Sequence, residues 1–172
     1  GHCIPIDPFY LTWRARKFDV PTRFIELAGE INTNMPQHIV HRTREVLDLE
    51  TGRGLNGARL LLVGVAYKKN VSDMRESPAM RLMQLFEEAG AKVEFIDPHV
   101  PQIPPMREYG VFEARAALNV DALEKGVYDA VVIATDHDAV DFMSVLDLDC
   151  PVIDTRNAIA KRGLPMDRVT KA

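Results

Sequence analysis

The sequence has little cysteine, no long apolar run and no excess of positive charge. Its two cysteines, Cys3 and Cys150, are too few for a disulfide framework, which favours a reducing compartment and leads us to expect a cytoplasmic protein. No stretch is apolar for the roughly 20 residues that a membrane-spanning helix needs, so no membrane partner is expected. A net charge of −4 gives no reason to expect nucleic acid as a partner. What remains, 47% hydrophobic and 27% charged residues, is typical of a soluble globular protein.

Glycine is scarce where a dinucleotide-binding protein would need it. Residues 60–97 read as strand, loop, helix and strand, a βαβ unit. The turn of a dinucleotide-binding unit carries three closely spaced glycines, whereas only Gly64 stands between residues 60 and 78. This turn is therefore not an NAD-binding fingerprint.

The elements of the βαβ unit have clear boundaries. The continuous apolar run 60–67 predicts a strand buried on both faces, as in a parallel sheet covered by helices. Ser77 and Pro78 predict a helix start, and Gly90 predicts its end. The second strand is expected at residues 92–96.

Further alternation of strands and helices indicates the fold class. Strands are predicted at 111–113, 128–134 and 151–154, and helices at 119–125 and 139–146. We therefore predict an α/β fold, a Rossmann-like open parallel sheet preceded by a helical segment that contains one long helix.

The chain begins with a loop and a short helix, predicted at residues 8–17. Asp7 is the expected N-cap and Pro8 the first helical residue. Cys3 then lies just ahead of a helix N-terminus, where positive partial charge favours a thiolate. Cys3 is a candidate nucleophile, but a small buried hydrophobe and a purely capping Asp7 would explain the same pattern.

A second helix is predicted from about residue 21 to residue 46. Its apolar stripe keeps its phase through Pro36, which indicates one kinked helix rather than two. At about 1.5 Å per residue it would be roughly 40 Å long, more than a small domain covers, so we expect it to form an oligomer seam. His38 and His41 lie on neighbouring turns, where a polar helix face explains them, and no metal site is expected.

Basic side chains follow the predicted strands. Lys68, Lys69 and Arg75 come after the first strand, and Arg156 follows the strand at 151–154. Open α/β sheets bind ligands at this edge, so an anionic ligand is expected, although solvated loop charges would look the same.

Three separated motifs resemble one protein family. They are Gly-His-Cys-Ile-Pro-Ile-Asp at 1–7, Ala-Tyr-Lys-Lys-Asn-Val-Ser-Asp-Met-Arg-Glu-Ser-Pro at 66–78, and Asp-Thr-Arg-Asn at 154–157. In order and spacing they resemble the UDP-glucose/GDP-mannose dehydrogenase family across the whole chain. The wording of the first motif is most similar to the branch that acts on UDP-N-acetylhexosamines.

The resemblance implies a reaction and its catalytic residues. A sugar 6-hydroxyl would be oxidised twice to a carboxylate, with two NAD consumed. Cys3 would trap the intermediate aldehyde as a thiohemiacetal, which becomes a thioester and is hydrolysed. Asp7 matches the carboxylate that assists the water.

The resemblance also implies binding residues and partners. Tyr67, Lys68 and Arg156 match positions that contact the nucleotide sugar, a UDP-N-acetylhexosamine or UDP-glucose. Arg75 matches a position that reaches NAD. Relatives pair through their central domain, so a homodimer through the long helix is expected.

The chain departs from the family pattern in two ways. Ile6 stands where many relatives carry lysine, which puts a cofactor contact there in doubt. The NAD-binding domain has no counterpart, so the chain is expected to be a piece of a longer protein. Residues 1–50 would end its central helical domain, 51–57 form a linker, and 58–172 form the UDP-sugar-binding domain. The alternative is a non-catalytic nucleotide-sugar sensor of the same fold.

Overall fold

A five-stranded, all-parallel open sheet lies at the centre of the fold, in the strand order β2-β1-β3-β4-β5. The computed structural model describes residues 3, 4 and 6–172. The strands are β1 (Arg59–Val63), β2 (Lys92–Ile96), β3 (Ala130–Ile133), β4 (Val152–Asp154) and β5 (Val169–Lys171). The helices are α1 (Asp7–Arg16), α2 (Arg23–Thr51), α3 (Pro78–Glu88), α4 (Phe142–Leu146) and α5 (Ala158–Lys161). The predicted fold class is confirmed.

Apolar layers cover both faces of the sheet. Leu60 and Leu62 of β1 join one buried cluster with α2 and α3, whereas Leu61 and Val63 join a second cluster with α4 and α5. Successive side chains of a strand point to opposite faces, so a strand covered on both sides is apolar at every position. This explains the unbroken apolar run in the sequence.

Helix α3 begins and ends where the sequence predicts. Ser77 is its N-cap, and the serine Oγ accepts a hydrogen bond from the backbone N–H of Ala79 at 3.3 Å. Pro78 is the first helical residue, and the chain leaves the helix through Gly90 with φ 87°.

Helix α2 is a single helix of 29 residues with Pro36 inside it, as predicted. At about 1.5 Å per residue it is roughly 43 Å long. Its second half belongs to the core through Ile39 and Leu47, whereas Phe24 and Ile31 in its first half are 83% and 55% exposed. Among the described residues, no helix has the length and hydropathy to cross a bilayer.

The segment between β2 and β3 differs from prediction. Residues 110–112 form a 3-10 helix instead of the strand expected at 111–113, because their N–H groups bond locally and Ala114 adopts φ 64°, which a strand cannot continue. The helix predicted at 119–125 is one 3-10 turn, Val120–Ala122, because Leu123 is already extended.

Three further differences from the prediction lie near the end of the chain. The helix predicted at 139–146 begins at Phe142, since the carboxylate of Asp141 caps it by accepting the backbone N–H of Met143. Strand β5 and helix α5 were missed by the sequence prediction. Strand β5 completes the sheet beside β4.

Candidate functional site

The strand order puts the topological switch point between β1 and β3: the chain moves from β1 to one side of the sheet to form β2, and then to the other side to form β3, β4 and β5. Val63 at the end of β1 pairs with Ile133 at the end of β3, which in turn pairs with Asp154 at the end of β4. The loops that follow these three strands therefore leave the same edge of the sheet side by side. In open α/β folds this is the crevice that binds ligands.

A cavity of about 440 Å³ opens at this edge. Residues that follow four strands contribute to its wall, and so does helix α2, for which the sequence predicted only an oligomer seam. Its size is within the range of small-molecule sites, roughly 300–1,000 Å³. Among the described residues, the lining includes Asn32, Pro36, Tyr67, Glu76, Ala134, Thr155, Arg156 and Ala172.

A second cavity of about 600 Å³ adjoins the first. Both are bordered by Asn32, Pro36, Glu76 and Pro78, so they form neighbouring compartments along α2. The second compartment is rich in charge, with three arginines and three acidic residues among its lining: Asp73, Arg75, Glu76, Arg81, Arg107 and Glu108.

The structure brings Tyr67 and Arg156 together in the first cavity, although they are far apart in sequence. Arg156 Nε lies 3.4 Å from Oδ1 of the buried Asp136, and this contact restrains the guanidinium. Polar side chains that follow different strands therefore meet at one edge of the sheet.

Lys68 and Lys69 behave differently although they are neighbours. Lys69 Nζ lies 2.6 Å from Asp138 Oδ1, so its charge is already paired. Lys68 is exposed, and within the described part of the chain no ion pair involves it. It is absent from the lining of the 440 Å³ cavity, although Tyr67, the residue before it, lines that cavity.

Arg75 lines the 600 Å³ compartment rather than the first one. Its guanidinium bonds to Asp73, with Nη2 2.7 Å from Oδ2. The hydrogen bond and the charge of Asp73 raise the pKa of Arg75. Burial is the largest cause of the raised pKa of Tyr109 in the same compartment.

Cys3 lies before helix α1 and is exposed. Its carbonyl accepts the N–H groups of Ile6 and Asp7 at 3.1 and 2.8 Å. The prediction that Asp7 is the N-cap is wrong, because this turn already folds Ile6 into a helical conformation and makes Ile6 the N-cap. Asp7 stands in the first turn with an exposed side chain, and Ile4 lines the first cavity.

Cys150 offers a contrast to Cys3. It is buried, and burial raises the pKa of its thiol to about 11. A thiol in that environment is a poor nucleophile at neutral pH.

The loop after β1 is held by a buried carboxylate that sequence reasoning took only as the end of β2. Asp97 Oδ2 accepts the backbone N–H groups of Val65 at 2.7 Å and Ala66 at 3.1 Å. Its Oδ1 accepts those of His99 and Val100 at 2.8 and 3.1 Å. Burial would raise the pKa of Asp97, but these bonds and one to His137 outweigh it and lower the pKa.

Gly64 serves packing rather than phosphate binding. It has φ 80°, and a Cβ at this position would lie 2.4 Å from the carbonyl oxygen of Thr135. Glycine is therefore required for β1 and β3 to end so close together. The residues of this turn do not fit a dinucleotide pyrophosphate, in agreement with the missing glycine fingerprint.

Glu76 has a strained backbone at the boundary of the two compartments. It adopts φ 56°, a conformation that costs a glutamate roughly 1–3 kcal/mol. Asn70 and Asn157, in neighbouring loops at this edge, also have positive φ. Strain that persists next to a cavity is typical of functional sites.

Comparisons with known proteins identify the family of this chain. The UDP-binding domain of the UDP-glucose/GDP-mannose dehydrogenase family matches residues 61–161. A UDP-N-acetyl-D-mannosamine dehydrogenase of Methanococcus maripaludis is 32% identical over 92% of this chain and 35% of its own length. A UDP-N-acetyl-D-glucosamine 6-dehydrogenase of Pseudomonas aeruginosa is 29% identical over 80% of this chain and 31% of its own.

A solved structure extends the similarity to nearly the whole chain. The UDP-D-ManNAc dehydrogenase of Pyrococcus horikoshii superposes with a TM-score of 0.77 and 26% identity, covering 99% of this chain and 38% of its own. The chain thus spans about a third of the length of the relatives that it matches.

Proposed function

The chain belongs to the UDP-glucose/GDP-mannose dehydrogenase family, and we propose that it supplies the nucleotide-sugar site of an NAD-dependent UDP-sugar 6-dehydrogenase. The diphosphate would bind at the carboxyl edge of the sheet, with Tyr67, Lys68 and Arg156 as its contacts. The sugar would extend toward the segment that carries Cys3.

The meeting of Tyr67 and Arg156 in one cavity is the observation that carries this proposal. A guanidinium presents a planar fork that matches phosphate oxygens, and an aromatic ring offers a face for a base or sugar. Lys68, the residue after Tyr67, adds a positive charge that Asp138 does not neutralise, because Asp138 pairs with Lys69.

A UDP-N-acetylhexosamine is the proposed substrate class, with UDP-glucose as the alternative within the family. The support is the first sequence motif together with the names of the two relatives, which are dehydrogenases of UDP-N-acetylmannosamine and UDP-N-acetylglucosamine. In this proposal the sugar 6-hydroxyl is oxidised in two steps to a carboxylate.

Cys3 and Asp7 are the proposed catalytic residues. The exposed Cys3 thiolate would add to the C6 aldehyde to give a thiohemiacetal, which is oxidised to a thioester. Asp7, one helical turn further along, would take a proton from the water that releases the acid. The position of Cys3 just before α1 supports the role of nucleophile, since a helix N-terminus stabilises negative charge.

NAD, when bound, would accept the hydride of each oxidation step. The described residues that fit it are those of the 600 Å³ compartment, where Arg75 could contact a phosphate. The turn after β1 does not fit, so we propose that most of the NAD site lies in a domain outside these 172 residues.

A homodimer is the proposed assembly. The first half of α2 exposes an apolar face that includes Phe24, Leu27 and Ile31. Exposed apolar surface of this kind is typical of a protein–protein contact.

Calorimetry with UDP tests the binding proposal. A charge-assisted hydrogen bond to phosphate contributes about 1.5–3 kcal/mol, so Lys68→Ala should weaken UDP binding by roughly tenfold or more. Lys69→Ala is the matched control, because its charge is engaged by Asp138, and we expect a change below about threefold. Equal affinities of wild type and Lys68→Ala would show that the diphosphate does not bind at this loop.

A further inference from the structure

We infer that His137 is a positioning residue for the nucleotide site: its Nδ1 holds the backbone of Asn70 and thereby fixes the loop that presents Tyr67 and Lys68. The inference rests on the proposed binding of a UDP-sugar and assigns a role to a residue that is not among the described residues lining the cavity.

His137 is fully buried directly after β3, with 0% of its surface exposed. The backbone N–H of Asn70 lies 2.9 Å from His137 Nδ1. A backbone N–H can only donate, so Nδ1 is the acceptor and the ring proton resides on Nε2. Nε2 lies 3.1 Å from Asp97 Oδ2 and donates to that carboxylate.

This pair of bonds connects the two ends of one loop. The Asp97 oxygen that accepts from His137 also accepts from the N–H groups of Val65 and Ala66. The loop leaves β1 at one anchor and reaches Asn70 at the other, with Tyr67 and Lys68 between them. The Asp97 carboxylate and the His137 imidazole therefore hold the backbone of this loop at both of its ends.

Side-chain contacts of Asn70 reinforce the second anchor. Its Nδ2 donates to Asp138 Oδ2 at 2.7 Å, and its Oδ1 accepts the backbone N–H of Asp138 at 3.0 Å. Asn70 also adopts φ 60°, so the chain reverses where it is held. The segment after β3 therefore sets the position of the loop after β1, and the place of Lys68 depends on His137.

The two ring nitrogens of His137 make the contacts on which this role depends. The ring packs against His99 with centroids 4.8 Å apart and a tilt of 57°. This contact is not a hydrogen bond to either nitrogen of His137. The hydrogen bonds to Asn70 and Asp97 can each be removed by a different substitution.

Two substitutions separate the bonds. In His137→Asn the side-chain oxygen stands near the place of Nδ1 and can still accept from Asn70. In His137→Gln the side-chain N–H stands near the place of Nε2 and can still donate to Asp97. Asparagine is smaller than glutamine, so loss of packing alone would weaken His137→Asn more than His137→Gln, the opposite of the order that the inference predicts.

The experiment measures UDP affinity and thermal stability for both variants of the full 172-residue chain. We expect His137→Asn to bind within threefold of wild type and His137→Gln to bind at least fivefold more weakly, at similar melting temperatures. Wild-type affinity in His137→Gln would overturn the inference. An equal loss in both variants would overturn it as well, because it would indicate a purely structural role.

Nuclear magnetic resonance keeps the test decisive if a variant does not fold. In the wild-type protein, a long-range ¹H–¹⁵N spectrum should show an unprotonated Nδ1 and a protonated Nε2. A proton on Nδ1 would contradict the inference.

The same method separates failure of this inference from failure of the proposed function. If wild type does not bind UDP, the proposed function fails, and amide exchange of Lys68 and Asn70 decides the role of His137. Faster exchange in His137→Gln than in His137→Asn would support that role, whereas equal exchange would refute it.

Discussion

Replacing Asp97 by asparagine removes the anchor on which the carboxyl edge of the sheet depends. The carboxylate accepts five hydrogen bonds, four from backbone N–H groups and one from His137. An asparagine has one acceptor oxygen and one NH₂ group. Whichever way its amide is turned, at least two backbone donors face a donor instead of an acceptor.

The expected loss of stability follows from this count. A hydrogen bond to a charged group contributes about 1.5–3 kcal/mol, so losing two of them costs about 3–6 kcal/mol. A typical domain has a free energy of unfolding of about 5–15 kcal/mol, so the variant should fold but with a much lower denaturation midpoint. The loop that carries Tyr67 and Lys68 should also lose its order.

Urea denaturation measures this free energy, with Asp167→Asn as the control. Asp167 is exposed, and no hydrogen bond or ion pair involves it among the residues that the structure describes, so its replacement should change stability by less than about 0.5 kcal/mol. A loss below about 1 kcal/mol for Asp97→Asn would refute the anchoring role.

The pH dependence gives a second readout of the same bonds. Because hydrogen bonding lowers the pKa of Asp97 in the folded protein, its contribution is complete above the ordinary aspartate pKa of about 3.9 and is lost as the pH falls through the lowered value. The stability difference between wild type and Asp97→Asn should therefore be constant from about pH 5 to 7 and shrink below about pH 4. A difference that does not change down to pH 2 would contradict this assignment.

The remaining predictions concern chemistry and assembly. At neutral pH iodoacetamide should modify the exposed Cys3 and spare the buried Cys150, which peptide mass mapping would show; equal labelling would refute the contrast. Purified chain should give no steady NADH production at 340 nm with UDP-sugars, and any turnover would place the whole cofactor site within these residues. Light scattering should show self-association that Phe24→Glu weakens, because Phe24 is 83% exposed on α2; a strict monomer at high concentration would exclude a dimer through this face.

The parts of the fold that were predictable are those with strong local patterns. The apolar run of β1 and the Ser77 and Pro78 start of α3 have one structural solution each, since burial on both faces and capping are encoded within a few residues. Strand β5 has three residues that are at most half-buried. Its pairing with β4 arises from tertiary contact, so no local pattern indicated it.

The site also combines residues that local sequence patterns indicate with contacts between residues far apart in the sequence. Arg156 was indicated because it follows an apolar strand and parallel strands end at one edge, whereas Tyr67 was indicated by the family resemblance. The bond between Asp97 and His137 joins residues 40 positions apart. Asp97 follows the strand predicted at 92–96 and His137 follows the one predicted at 128–134, and only the strand order brings them together.

The binding of a nucleotide at the carboxyl edge is tested most directly by titrating ¹⁵N-labelled protein with UDP. We expect the amide signals of Tyr67, Lys68 and Arg156 to shift with a common affinity, because Tyr67 and Arg156 line one cavity and Lys68 is the residue after Tyr67. Asp129, which precedes β3 at the opposite edge, should not shift. Shifts confined to residues away from the carboxyl edge, or no shifts at millimolar UDP, would contradict a nucleotide site there.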